Sequence, residues 1–160
     1  MNAMSTTEPL QTTRARVGPG ASVGVTEEMI HDLVHGFYAK IRPDPALGPI
    51  FGRAIRDDQW DAHLAKMCDF WSSVMLMTGR FKGAPMAAHN RIPDIRPTHF
   101  ARWLHLFRQT AAEVCPPDAA AAFIAKAEII AQSLQFGIAA SRGELPPVRS
   151  ACARRTPDEA

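Results

Sequence analysis

Apolar residues recur every three or four positions along four long segments of the chain, a spacing that predicts four amphipathic helices. The first segment follows Thr26, a suitable N-cap residue with two glutamates behind it, and stops before Pro43. The second starts after Asp57 or Asp58, and a pair of prolines separates the third from the fourth. The predicted helices span about 27–41, 58–77, 97–114 and 118–140.

Two shorter segments complete the pattern: residues 46–54, which contain Phe51, and a single turn at 85–90, which contains His89. No segment shows sustained alternation of apolar and polar residues at the period of two that a half-buried strand requires. The sequence therefore predicts an all-α fold. Helical bundles commonly build cofactor sites between facing helices.

The helical pattern is confined to residues 25–142, which we expect to form the folded domain, with residues 1–24 and 143–160 as disordered tails. A net charge of +2 gives no electrostatic footprint for nucleic acid or a membrane surface. The apolar stretches are shorter than the ~20 residues of a membrane span. Three cysteines without a Cys-x-x-Cys pair, and no secretory signal, predict a reducing, cytoplasmic setting.

Six histidines are the main candidates for chemistry. His31 and His35 are four residues apart, a spacing that can bind zinc, although no Cys or carboxylate ligand pattern accompanies them. His63 lies beside the apolar face of the second helix, as a boundary residue or as a ligand. His89 follows an apolar run, and a neutral imidazole in such surroundings suits axial ligation of haem iron or another metal. A position at the surface or at a helix boundary is expected for the remaining two, His99 and His105.

Aromatic side chains at helical spacing are the second signal, and they form either an ordinary core or the wall of a cofactor pocket. They are Phe37, Tyr38, Phe51, Phe70, Trp71, Phe100, Trp103 and Phe107. A buried phenol or indole needs a hydrogen-bond partner. Tyr38 and Trp103 could therefore bond to each other, to the backbone or to a ligand in a cavity, and periodicity does not choose between these.

Six runs of residues, in this order and at these distances along the chain, resemble the group III truncated haemoglobins, bacterial globins with a shortened, two-over-two helical sandwich. The runs are 37–42 (FYAKIR), 47–51 (LGPIF), 60–67 (WDAHLAKM), 70–71 (FW), 81–89 (FKGAPMAAH) and 100–104 (FARWL). With the fourth helix, the resemblance covers nearly all of the predicted domain.

The resemblance implies that His89 is the proximal ligand of the iron of a b-type haem. It implies that Tyr38 and Trp103 donate hydrogen bonds to a bound ligand, and that His63 is the distal histidine, which gates the pocket. Phe51 matches a phenylalanine stacked on the haem. Further residues expected at the haem are Met67, Trp71, Phe37 and Phe100, with Lys66 and Arg91 as candidates for pairing with the propionates.

The expected function is binding of O₂, and also of CO and NO, in a monomer or weak dimer. Because hydrogen bonds to charged groups contribute about 1.5–3 kcal/mol each, two donors are expected to slow O₂ release on the order of a hundredfold or more. The same pocket suits NO oxidation or peroxidase-like chemistry on peroxide, which would need a reductase partner. Two alternatives remain open: a haem-based gas sensor or bis-histidine electron carrier, and a haem-free helical interaction module.

Overall fold

The computed structural model describes residues 17–144, and within them it contains six α-helices and no strand. The helices are α1 (Glu27–Ile41), α2 (Gly48–Ala54), α3 (Trp60–Leu76), α4 (Pro85–Asn90), α5 (Pro97–Val114) and α6 (Pro117–Ser141). None of these helices is long and apolar enough to cross a membrane. The disorder predicted for residues 1–16 and 145–160 concerns residues outside the described part of the chain.

The local signals in the sequence set the helix ends. The Thr26 side chain accepts a hydrogen bond from the Met29 N–H (3.1 Å) and caps α1. Proline opens α4, α5 and α6, where the missing N–H costs nothing. The end of α3 is marked by Met77, a non-glycine residue with a φ of 55°. The prediction of an all-α fold is confirmed, and each long helix agrees with its predicted span to within about two residues.

The long helices pack as two pairs, α1 with α3 and α5 with α6, and α1 also packs on α5. Most of the buried apolar side chains form one cluster between these pairs, which includes Ile30, Leu33, Phe107 and Phe123. A second, smaller cluster joins the start of α5 to α6 and includes Phe100 and Leu134. Since the short helix α4 contacts α6, it lies beside this second cluster.

The packed part of the chain begins earlier than the predicted boundary at Val25. Residues 17–24 include a short 3₁₀ turn (Ala21–Val23), and the Gly20 N–H donates to the carbonyl of Met75 at the end of α3 (2.9 Å). A Cβ on the buried Gly18 would overlap the same carbonyl. Glycine backbone makes this contact, and Val23 is the apolar side chain of the segment that packs on the main cluster, so the segment lacks the periodic apolar pattern that marks a helix.

Candidate functional site

A cavity of about 480 Å³ lies between the two apolar clusters. This volume is in the range of sites that bind small molecules and cofactors. Most of the lining is apolar or aromatic. The predicted site residues that line the cavity are Tyr38, Phe51, His63, Lys66, Met67, Trp71, His89, Arg91, Phe100 and Trp103. The structure therefore brings all but one of the predicted site residues to one cavity; the exception is Phe37.

His89 lies in α4 with one ring nitrogen already engaged. Its Nδ1 is 2.7 Å from the carbonyl oxygen of Pro85, one turn earlier in the same helix. Because a carbonyl oxygen can only accept, Nδ1 must carry the proton and donate it. In the neutral ring this leaves Nε2 with a free lone pair, as a metal-binding histidine requires.

His63 is on the other side of the cavity, and its Nε2 is buried without a hydrogen-bond partner among the described residues. The edges of two aromatic rings enclose it, since its ring centre lies 5.2 Å from that of Tyr38 and 5.6 Å from that of Trp60. Burial, with a further contribution from the charge of Lys66, lowers the pKa of His63. The ring is therefore neutral near pH 7.

Two further donors belong to side chains that line the cavity beside the larger apolar cluster. Burial raises the pKa of the Tyr38 phenol, so its hydroxyl stays protonated and can donate. Within residues 17–144, neither the Tyr38 hydroxyl nor the Trp103 indole N–H makes a hydrogen bond, although both side chains line the cavity. Buried polar groups are normally paired, so donors left free at a cavity mark a place where a ligand could complete them.

The indole of Trp103 is held in a stack of three aromatic rings. Phe107 lies between Trp103 (ring centres 5.4 Å apart) and Trp71 (5.1 Å), and all three rings are nearly parallel. Phe37 meets the edges of Trp103 and Phe107 from the core side, at 5.3 Å from each, and is only 2% exposed. Phe37 therefore supports the wall of the cavity from behind and does not itself line it.

An ion pair with a buried carboxylate and a partly exposed guanidinium fixes α5 next to Trp103. Asp44 is 5% exposed, and one of its carboxylate oxygens accepts from the Arg102 guanidinium at 2.8 and 2.9 Å. The other oxygen accepts from the backbone N–H groups of Ala46 and Leu47 (3.1 and 3.0 Å). Burial by itself would raise the pKa of Asp44, but these bonds and the nearby positive charge outweigh it and lower the pKa.

Some cavity residues are not among those that the resemblance assigns to the site. Phe70 and Phe81 line the cavity with their ring centres 5.2 Å apart, and the Lys66 ammonium is 5.9 Å from the Phe81 ring centre. His99, expected at the surface or a helix boundary, is half-buried and also lines the cavity. A loop aromatic such as Phe81 has no periodicity that could have found it.

The pair of His31 and His35 does not reach the cavity. The two rings stack at 4.0 Å on the exposed face of α1. Among the described residues no third His, Cys, Asp or Glu is placed to complete a metal site with them. The structure thus gives the zinc interpretation of this pair no support.

The cavity residues fit a haem. An apolar slot suits the flat macrocycle, the free Nε2 of His89 suits axial ligation of the iron, and the unpartnered Nε2 of His63 with the two free donors suits a polar ligand on the opposite side. An all-helical fold around such a cavity is typical of a globin.

The comparisons with known proteins agree. The chain is 34% identical over 113 residues to the group 3 truncated hemoglobin ctb of Campylobacter jejuni, an alignment that covers 69% of this chain and 89% of that protein. The crystal structure of the group III truncated hemoglobin from Campylobacter jejuni matches with a TM-score of 0.69 and 32% identity, over 72% of this chain and 92% of that one. No family model matches the chain. The chain belongs to the group 3 truncated haemoglobins. This membership implies haem binding and the binding of small gas ligands.

Proposed function

We propose that the protein binds haem b through His89 and retains O₂ tightly with the help of Tyr38 and Trp103, while also accepting CO and NO. The observation that carries the proposal is the state of His89: its Nδ1–H is committed to the Pro85 carbonyl, and its free nitrogen belongs to a residue that lines the cavity. Lys66 and Arg91 line the same cavity and supply positive charge for the two propionates.

When bound through His89, the haem would supply an iron that can bind a diatomic gas. The Tyr38 hydroxyl and the Trp103 indole N–H donate hydrogen bonds in the half of the cavity that His63 also lines. Donors of this kind favour O₂, which draws negative charge onto itself, over CO, which does not. The stack with Phe107 keeps the Trp103 donor in place without reorganisation. The largely apolar lining leaves few polar side chains that could compete for both donors.

His63 gates this half of the cavity in our proposal. Its buried Nε2 has no partner among the described residues, which also favours a second candidate function in which His63 and His89 both ligate the iron and the protein carries electrons. The two candidates differ in one observable, because a bis-histidine iron is low-spin in both oxidation states.

The donors would also stabilise negative charge on an oxygen atom of a substrate such as peroxide, which suits NO oxidation or peroxidase-like turnover. Sustained turnover of either kind needs electrons from a separate reductase. A test is the decay of added NO by the O₂-loaded protein, with and without a reductant, compared with its Tyr38→Phe variant.

The first experiment is a visible absorption spectrum of the purified protein in the ferric, the dithionite-reduced and the CO-treated forms. We expect a stoichiometric Soret band, a five-coordinate ferrous form and a shift with CO. In His89→Ala these features should be lost, whereas His105→Ala, which changes an exposed histidine of α5, should keep them. A low-spin ferrous form before CO would select the bis-histidine candidate, and no Soret band after reconstitution with haem would refute both.

A further inference from the structure

The C-terminal end of α6 is joined to the segment that carries His89. Arg142 directly follows α6, and its guanidinium donates to three backbone carbonyls, those of Ile95 (2.9 Å), Ile92 (3.0 Å) and Pro93 (3.1 Å). All three belong to the loop between α4 and α5. Charged donors make stronger hydrogen bonds than neutral ones, so a single side chain fixes the course of this loop just after His89.

A second contact brings α4 itself close to α6. A Cβ on Gly137 would overlap the Sδ and Cε atoms of Met86, the residue three positions before His89. The absence of a side chain at Gly137 thus lets Met86 lie directly against α6. Met86 packs there on the smaller apolar cluster, which includes Leu134 and Ile138.

These contacts have a consequence for His89, although neither Gly137 nor Arg142 lines the main cavity. The hydrogen bond of His89 goes to Pro85 in its own helix, so its ring moves wherever α4 moves. With only six residues, α4 is too short to be stable without packing.

We infer that Gly137 and Arg142 are positioning residues, which hold α4 and the following loop where His89 can bind the haem iron. The inference rests on the proposed function, since it concerns the same histidine. It adds that the C-terminal end of α6 and the residue after it are needed to keep His89 in position for the iron.

The first test compares Arg142→Ala with Arg108→Ala, a matched control whose guanidinium pairs with Glu128 of α6 at 2.7 Å and bonds to no group of α4 or its loop. Haem loss is measured as transfer to excess apomyoglobin, and the iron–histidine stretching band of the ferrous protein is recorded by resonance Raman. We expect Arg142→Ala to lose haem about tenfold faster, the usual size of an effect on the partners of a metal ligand, and its band to shift or broaden.

Arg142→Lys, which keeps the charge but cannot reach three carbonyls with one planar group, should recover part of the difference. If Arg142→Ala matches Arg108→Ala in both measurements, the inference is wrong. Faster haem loss with an unchanged Raman band would also overturn it, because that result means general destabilisation without displacement of His89.

The second test is a double-mutant cycle of Gly137→Ala and Met86→Ala. Replacing glycine by alanine inside a helix normally stabilises it, and the atoms that a Cβ would overlap are the flexible end of Met86. We therefore expect only a small increase in haem loss in Gly137→Ala, caused by displacement of the Met86 side chain. We expect Gly137→Ala to have little effect once Met86 is alanine. Additive effects of the two changes would contradict the inference.

Hydrogen exchange separates a failure of this inference from a failure of the proposed function. If the wild-type protein takes up no haem, the proposed function is refuted, but exchange in residues 86–96 of the full-length protein still tests the contacts. Faster exchange there in Arg142→Ala than in Arg108→Ala supports the role of Arg142. Equal exchange overturns it.

Discussion

The two sides of the cavity treat their polar groups in opposite ways. On the side of His89, the Nδ1 of the imidazole is paired with the carbonyl of Pro85, which leaves Nε2 for the iron, and three carbonyls of the following loop are paired with Arg142. On the side of His63, the imidazole Nε2, the Tyr38 hydroxyl and the Trp103 N–H have no partner among the described residues.

This difference corresponds to two kinds of ligand. A fully buried polar group left unpaired costs about 1–3 kcal/mol, and among the described residues the Nε2 of His63 is such a group. In the function we propose, the paired side holds one cofactor in one position, and the unpaired side keeps donors available for a ligand that arrives and leaves.

The largest effect is expected when the hydrogen-bond donors of Tyr38 and Trp103 are removed and the O₂ dissociation rate is measured. In Tyr38→Phe or Trp103→Phe, O₂ should dissociate at least about tenfold faster, because each change deletes a hydrogen bond to a charged group worth about 1.5–3 kcal/mol. The double variant should reach on the order of a hundredfold or more. Stopped-flow or flash photolysis measures the rates.

CO is the internal control for these variants, because it carries little charge and its dissociation rate should change far less. Trp60→Phe is the matched protein control, since Trp60 packs on Tyr38 and His63 but does not line the cavity. Equal changes in the O₂ and CO dissociation rates would mean that Tyr38 and Trp103 act through steric contact and not through hydrogen bonds. The proposed difference between the two sides of the cavity would then be wrong.

A smaller effect is expected from the ion pair between Asp44 and Arg102, which holds α5 beside Trp103. Asp44→Ala should lower the free energy of unfolding by about 2 kcal/mol, because it removes a buried carboxylate and leaves two backbone N–H groups unpaired. The expected loss is below that of a fully buried pair, since the Arg102 side chain is 44% exposed. Urea unfolding measures it, and Asp58→Ala, which breaks an exposed pair with Arg56, should change little.

The Asp44 carboxylate also makes the free energy of unfolding depend on pH, and the direction follows from its lowered pKa. Because the pKa of Asp44 is lower in the folded protein than its ordinary value, its stabilising contribution is present above the pKa of the unfolded chain, about 4. The contribution is lost as the pH falls through the folded-state pKa. The wild type should therefore lose more stability than Asp44→Asn between pH 5 and pH 3. Parallel curves would show that the ion pair does not form in solution.

The smallest expected effect concerns His63. Burial lowers its pKa, so the folded protein binds a proton there less readily than the unfolded chain, whose histidine pKa is about 6.5. Stability should fall as the pH drops below that value, and His63→Leu should remove this part of the dependence. NMR titration of the haem-free protein gives the pKa directly. A pKa of His63 at or above about 6.5, the ordinary histidine value, would indicate a ring that faces solvent.

The helices were predictable because their signals are local. Periodicity, the Thr26 cap and the prolines determine where each helix begins and ends, independently of its neighbours. Which way a helical residue points is harder. Tyr38 and its neighbour Phe37 lie on adjacent flanks of one buried face, and only the packing of α5 decides that Tyr38 lines the cavity while Phe37 faces the core.

Other features depend on contacts that have no pattern in the sequence. The bonds of Arg142 go to backbone carbonyls, which any residue possesses, and the approach of α4 depends on an atom that Gly137 lacks. Phe81 reaches the cavity from a loop. These positions follow from the assembled fold, whereas His89, Tyr38, His63 and Trp103 were predicted through the resemblance.

The aromatic wall also gives the protein an optical reporter. All three tryptophans of the chain lie in the cavity wall or next to it: Trp71 and Trp103 line the cavity, and Trp60 packs behind the wall against His63. Haem absorbs at the wavelengths where indole emits and quenches nearby indoles by energy transfer. Tryptophan emission should therefore be dark in the loaded protein and bright in the empty one, so that occupancy can be followed in real time without a label.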